Sequence, residues 1–304
     1  MQTIEQKHTD CFSIYQGDCC EVIKAIPDDS IHYSMFSPPF ASLYTYSDSE
    51  RDMGNCESDE EFFEHFGYLI EELYRVIIPG RLVSVHCMNL PSTLNRNGYI
   101  GIRDFRGAVI KAFVDRDFIY HSEVCIWKDP VVAMQRTKAL GLLHKQLVKD
   151  SCRSRMGIPD YVCTFRKPGD NPEPVIGKLD YFSGDQDTFQ HEGDYSIDVW
   201  QRYASPIWSD INQTNTLNFR MARDNADERH ICPLQLDVIE RCLQLWTNIG
   251  DTVLSPFAGI GSEGFQAVLS GRKFVGIELK ESYFEWACKY LEQAEKETKV
   301  ATLF

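Results

Sequence analysis

The stretch 251-DTVLSPFAGIGSEGFQAVLSGRKFVGIEL-279 constrains the fold more than any other part of the chain. An apolar run, 251-DTVLSPF-257, meets a glycine-rich loop, 258-AGIGSEG-264. A helical stretch, 265-FQAVLS-270, is closed by Gly271, and a second apolar run follows, 273-KFVGIEL-279. This spacing predicts a right-handed βαβ unit, because parallel neighbours need a helical crossover between them. A further helix is expected over 282–297, opened by Ser282 and Glu285 at capping-box spacing. Upstream, 233-PLQLDVIERCLQLWTNI-249 reads as a helix with Pro233 in its first turn and Gly250 past its end.

The N-terminal part alternates in the same way. Strands are expected at 12-FSIYQGD-18, 31-IHYSMFS-37, 81-RLVSVHC-87 and 119-IYHSEVCIW-127. Between them lie a short helix over 19–26, a long one opened by the Ser58/Glu61 capping box and stopped at Pro79-Gly80, and another over 103–113. From about 129 to 230 the periodicity weakens, and only 161-YVCTFRK-167 looks like a strand. The expected fold is α/β, a Rossmann-like doubly wound sheet with an irregular insert.

Composition narrows the class. With 304 residues, 43% apolar and 25% charged, the chain has enough length for a large core. It carries no run of 18 apolar residues and no basic-then-apolar leader, so neither a membrane span nor a secretory signal is expected. Its 11 cysteines lack organised spacing, which predicts reduced, mostly buried thiols in a cytoplasmic protein and no metal site. Net charge is -14, yet Arg136, Lys138, Lys145, Lys149, Arg153 and Arg155 face only one acid, Asp150, between 136 and 155. A basic patch on an acidic body suits a face that meets phosphate, although a solvated helix face would look the same.

Two loops carry the chemistry. In 255-SPFAGIGSEG-264, Gly259, Gly261 and Gly264 allow a tight turn against a ligand near a helix N-terminus. Glu278, at the tip of the next strand, is placed to accept both hydroxyls of a ribose. With no G-x-x-x-x-G-K-[ST] loop and with an acid, Glu263, inside the glycine loop, a cationic, phosphate-free nucleoside fits better than a triphosphate or dinucleotide. The second loop is 37-SPPF-40, at the end of an apolar strand. Its two prolines stop the strand in a rigid turn between a hydroxyl and an aromatic ring.

A (D/N/S)-P-P-(Y/F/W) tetrapeptide at a strand end, followed by a D-P-F-A-G-x-G-like loop, resembles the amino-group DNA methyltransferases that use S-adenosylmethionine. The order, with SPPF first, resembles their permuted beta class. The stretches 17–40, 71–85 and 230–243 resemble the family around these motifs, so the likeness covers roughly 11–127 and 228–292.

The resemblance implies a catalytic half over 11–128, target recognition over 129–227 and a cofactor half over 228–298. It implies that Ser37, Pro38, Pro39 and Phe40 receive a flipped-out base in double-stranded DNA. Ser37 Oγ and the Pro38 carbonyl would accept from the base's exocyclic amine, and Phe40 would stack on the ring. Asp18, Ser255, Phe257, Gly259, Gly261, Glu263 and Glu278 would hold the cofactor. Asp18 is equally placed to cap the helix at Cys19, and Phe257 to pack in the core.

Ser255 departs from the family's usual Asp, which leaves Glu263 or a backbone carbonyl to meet the cofactor's ammonium. Ser rather than Asp before the diproline leans towards N4 of cytosine, with N6 of adenine as the alternative. An RNA or small-molecule methyltransferase and a non-catalytic nucleic-acid-binding module are rival readings. A companion restriction enzyme, independent action on phage or host DNA, and a homodimer all stay open.

Overall fold

The structure is a computed structural model that describes residues 3–39, 52–137, 141–142, 144–176, 199–222 and 233–301. Its strands are β1 (Glu5–His8), β2 (Phe12–Gln16), β3 (Ile31–Phe36), β4 (Ile77–Met88), β5 (Leu90–Ser92), β6 (Gly101–Arg103), β7 (Ile119–Ile126), β8 (Asp160–Arg166), β9 (Ile207–Trp208), β10 (Thr252–Ser255) and β11 (Lys273–Glu278). Among the described residues, nine of them form one sheet in the order β1-β2-β11-β10-β3-β4-β8-β7-β9, and β5 and β6 pair separately. From β2 to β4 the strands run parallel, whereas β8 is antiparallel to both β4 and β7.

A parallel sheet must be covered on both faces. The Leu236–Trp246, Ser262–Leu269 and Glu281–Ala301 helices cover one face, over Tyr33, Val253 and Phe274. The Asp59–Val76 and Phe105–Val114 helices cover the other, over Phe36, Val85 and Phe165. Ser58 caps the Asp59–Val76 helix through Glu61 N at 3.1 Å, as the capping box predicts.

The crossovers diverge between β10 and β3. The chain leaves β10 for β11 on one side and β3 for β4 on the other. Such a switch point opens a crevice at the carboxyl ends of the strands. The two halves are locked there by register, Leu254 opposite Ser34, and by Ser34 Oγ donating to the Leu254 carbonyl at 2.9 Å.

Several boundaries differ from the sequence expectation. Pro79-Gly80 does not end the long helix; it lies inside β4, where the register with β3 shifts. Gly80 adopts φ +76° and its N–H reaches the Lys167 carbonyl at 3.0 Å, so the pair makes a kink within the strand. Pro233 lies outside its helix, whose N-cap is Gln235. Ser282 lies in the first turn of a helix that already starts at Glu281, so it is not the cap. The weak middle third also contributes more than one strand. Asp160–Arg166 pairs with β4 and β7, Ile207–Trp208 extends the sheet beyond β7, and Pro130–Thr137 is helical. Two described segments of the stretch over 129–227, Asp160–Arg166 and Ile207–Trp208, are thus woven into the main sheet.

Candidate active site

The diproline loop begins where β3 leaves the sheet. Phe36 pairs with Val85, so Ser37 arrives beside His86 of β4. Ser37 Oγ lies 3.2 Å from the His86 carbonyl oxygen and 3.3 Å from its Nδ1. Ser37 is half-buried and Pro38 is buried, which suits a pre-set turn; Phe40 lies outside the described residues.

The glycine loop stands directly alongside. Phe257, just past β10, places its ring 5.7 Å from that of Phe36, joining the two loops by a ring contact that also gives Phe257 a packing role. Gly259 and Gly261 have φ of +52° and +89°, a region that side chains rarely enter. A Cβ on Gly259 would meet nothing within 4 Å, so that edge of the loop faces open space. On Gly261 it would press on Ala287 at 3.2 Å, and on Gly264 on the Phe274 ring at 2.5 Å. Gly261 and Gly264 therefore bring helices against each other and against the sheet, while Gly259 alone of the three leaves room for a ligand.

Glu278 ties the loop to the tip of β11. Its two carboxylate oxygens accept from Gly259 N at 2.7 Å and Lys280 N at 2.9 Å. Its own carbonyl accepts from Gly17 N at 2.9 Å, which brings the end of β2 to the same place. Asp18 follows, and it does cap the short Cys19–Val22 helix, its Oδ1 accepting from Cys20 N at 2.9 Å. All of these groups sit at the carboxyl ends of β2, β11, β10 and β3, where a doubly wound sheet binds ligands.

The electrostatics favour a cation. Glu263 is 5% exposed, and burial, then the neighbouring charge of Glu278, push its carboxyl up to about 8. Among the described residues no cationic side chain pairs with it. Burial raises Glu278 to about 7, against the opposing pull of its backbone N–H donors. Ser255 is fully buried, with an Oγ that finds no hydrogen-bond partner among the described residues. Two under-compensated acids, an orphaned hydroxyl and an open edge at Gly259 fit a positively charged nucleoside cofactor.

Comparison with known proteins identifies the family. Residues 31–289 match the N6/N4 methyltransferase family model, described as DNA methylase. The chain belongs to this DNA methylase family. It is an S-adenosylmethionine-dependent DNA amino-methyltransferase of the N4-cytosine/N6-adenine type.

It is 22% identical over 285 residues to the type II methyltransferase M.BamHI of Bacillus amyloliquefaciens, covering 90% of this chain and 55% of that protein. To the DNA adenine methyltransferase YhdJ of Escherichia coli K12 it is 24% identical, covering 93% of this chain and 83% of YhdJ. The fold is shared with a Thermus thermophilus DNA modification methylase candidate complexed with S-adenosyl-L-methionine, at a TM-score of 0.66 and 20% identity, covering 92% and 93% of the two chains. It is shared also with the cytosine-N4-specific PvuII DNA methyltransferase, at a TM-score of 0.64 and 16% identity, covering 98% and 95%. No helix among the described residues of this methylase is long and apolar enough to cross a membrane.

The basic residues of the methylase are not all alike. Lys145, Lys149 and Arg153 are exposed. Arg155 is half-buried, donates to the Met156 carbonyl at 2.9 Å, and has its pKa lowered by burial. The side chain of Arg136 and the whole of Lys138 lie outside the described residues.

Three polar residues near Ser37 belong to no motif: His86, Asp160 and Lys128. Asp160 opens β8 opposite Met88 of β4, and Lys128 lies just past β7, whose Ile126 is also opposite Asp160. The only trace in the sequence is a histidine inside the apolar run 81-RLVSVHC-87 and an acid directly before 161-YVCTF-165. Their meeting depends on a strand pairing that no local pattern reveals.

Proposed function

We propose that this methylase transfers a methyl group to N4 of cytosine in double-stranded DNA. The observation that carries this reading is the half-buried hydroxyl of Ser37 on a diproline turn, in ring contact through Phe36 and Phe257 with the glycine loop. An exocyclic amine is a poor nucleophile because its lone pair is delocalised into the ring. Acceptors on its N–H groups draw the nitrogen towards a tetrahedral geometry and localise that pair. Ser37 Oγ and the Pro38 carbonyl are those acceptors, and the two prolines hold them in place before the base arrives. Phe40 stacks on the base, which leaves the duplex at a cost of a few kcal/mol.

S-adenosylmethionine, when bound, supplies an electrophilic methyl group on a sulfonium. Glu278 keeps lone pairs free for the ribose hydroxyls while holding Gly259 and Lys280. Glu263 receives the ammonium in place of the Asp usual at Ser255. Asp18, beside the tip of β11, meets the adenine amine with the capacity left by its capping bond. Ser255 offers its orphaned hydroxyl, Phe257 lies along the cofactor, and Gly259 gives it room. Lys145, Lys149 and Arg153 meet DNA phosphates, which sets affinity but not sequence, and Arg136, Lys138 and Arg155 are proposed to share that role. Sequence recognition lies in the part of 129–227 outside β8 and β9.

Mass spectrometry of nucleosides from unmethylated duplex DNA, incubated with the protein and S-adenosylmethionine, tests the choice of base. N4-methylcytosine is the expected product. N6-methyladenine would overturn the base and keep the mechanism. Methylation of RNA alone would overturn the substrate.

A further inference from the structure

The surroundings of Ser37 answer a question that a serine raises and a carboxylate would not. A hydroxyl has one proton and two lone pairs, so it can donate to an amine as readily as accept from it. Only the accepting orientation helps an exocyclic amine to attack, and a freely rotating hydroxyl would spend much of its time in the wrong one.

The sheet removes that freedom. Ser37 Oγ faces two atoms of His86, the carbonyl oxygen at 3.2 Å and Nδ1 at 3.3 Å. On the far side of the ring, His86 Nε2 lies 3.3 Å from Asp160 Oδ2, within ion-pair distance although off the hydrogen-bond axis. Asp160 is 2% exposed and pairs through its other oxygen with Lys128. Burial pushes its carboxyl up, but Lys128 and His86 outweigh burial and hold it below the usual range. An ionised carboxylate beside Nε2 favours the ring proton on that nitrogen, and in that neutral tautomer the lone pair lies on Nδ1. Both atoms that His86 presents to Ser37 are then acceptors. The one proton of Ser37 turns inward to either of them, and its lone pairs are left for the substrate.

We propose that His86, with its tautomer set by Asp160 and Lys128, is a positioning residue that fixes Ser37 as a hydrogen-bond acceptor towards the target amine. The inference rests on the amine-methylation function proposed above and adds to it a polarity lock built from three strand ends. β4 supplies the histidine, β8 the carboxylate and the exit of β7 the lysine.

The test compares wild type, His86→Leu, His86→Asn and Asp160→Asn in single-turnover methylation of duplex DNA at saturating S-adenosylmethionine. Calorimetric cofactor affinity and thermal melting are measured alongside. His86→Leu is expected to lower the rate roughly 10- to 100-fold, as a misplaced catalytic group does, with cofactor affinity unchanged within about threefold. His86→Asn keeps an amide oxygen close to the position of Nδ1 and should recover a large part of that loss. Asp160→Asn can donate to Nε2, moves the ring proton to Nδ1, and should slow the reaction without weakening cofactor binding.

A His86→Leu rate equal to wild type would overturn the inference. So would a His86→Asn rate no better than that of His86→Leu, or a rate loss matched by an equal loss of cofactor affinity and melting temperature. A wild-type protein that methylates no DNA would instead overturn the underlying function, so the two failures are distinguishable.

Discussion

Cofactor binding by this methylase should release a proton, and the source should be Glu263. The residue sits in the first turn of the Ser262–Leu269 helix, buried, with its carboxyl held up to about 8. In the empty protein it is therefore protonated at neutral pH. A cofactor ammonium beside it would stabilise the ionised form, so binding expels the proton. If the free group titrates near 8, affinity for the ammonium form of the cofactor should rise roughly 25-fold between about pH 6.5 and about pH 8.5, worth about 2 kcal/mol.

The same group gives the apo protein a pH-dependent stability. A carboxyl raised above its unfolded value stabilises the fold fully below about pH 4.5. That contribution is lost as pH rises through about 8, to a ceiling of about 5 kcal/mol. Apo melting temperature should fall across that window, and the gain on adding S-adenosylmethionine should grow.

Titration calorimetry in two buffers of different ionisation enthalpy reads the released proton, and Glu263→Gln should abolish most of the release and flatten the pH slope. An unchanged slope in Glu263→Gln, or affinity independent of pH in the wild type, would refute the placement of the ammonium.

Other consequences follow from the same geometry. Glu278→Ala removes the acceptor of both Gly259 N and Lys280 N; cofactor affinity should fall at least about tenfold, and hydrogen exchange should quicken at Gly259. Gly264→Ala forces a methyl to within 2.5 Å of the Phe274 ring and 2.6 Å of Leu291, which should lower stability by about 1–3 kcal/mol in thermal melts. Joint Lys145→Ala, Lys149→Ala and Arg153→Ala should weaken DNA binding uniformly across sequences. If all three meet phosphates, the variant should reduce the slope of log affinity against log salt by about 3, and an unchanged slope would remove them from the interface.

What could be read from the sequence divides along physical lines. The βαβ unit at 251–279 was legible because glycines, apolar runs and the acid at Glu278 are all local signals. So was the end of β3, where two prolines can stop a strand. Pro79-Gly80 misled for the opposite reason. A Pro-Gly pair ordinarily ends an element, and here the parallel pairing with β3 carries β4 through it as a kink. Ser282 and Glu285 matched a capping box, yet the helix starts one residue before Ser282, at Glu281. Tertiary pairing also accounts for what stayed hidden at the site. His86 and Asp160 are apart in the chain and meet only because β8 returns antiparallel beside β4. Asp18 shows how a local role and a site position can share one residue, since it caps a helix while standing next to the tip of β11.

The central claim is that Ser37, on its diproline turn, activates an amine in DNA. Single-turnover transfer of tritiated methyl from S-adenosylmethionine to unmethylated duplex DNA, by wild type and Ser37→Ala, tests it most directly. The account predicts label in the DNA with wild type, a rate at least about 100-fold lower in Ser37→Ala, and cofactor affinity unchanged within about threefold. Ser37→Ala working at nearly the wild-type rate would contradict it.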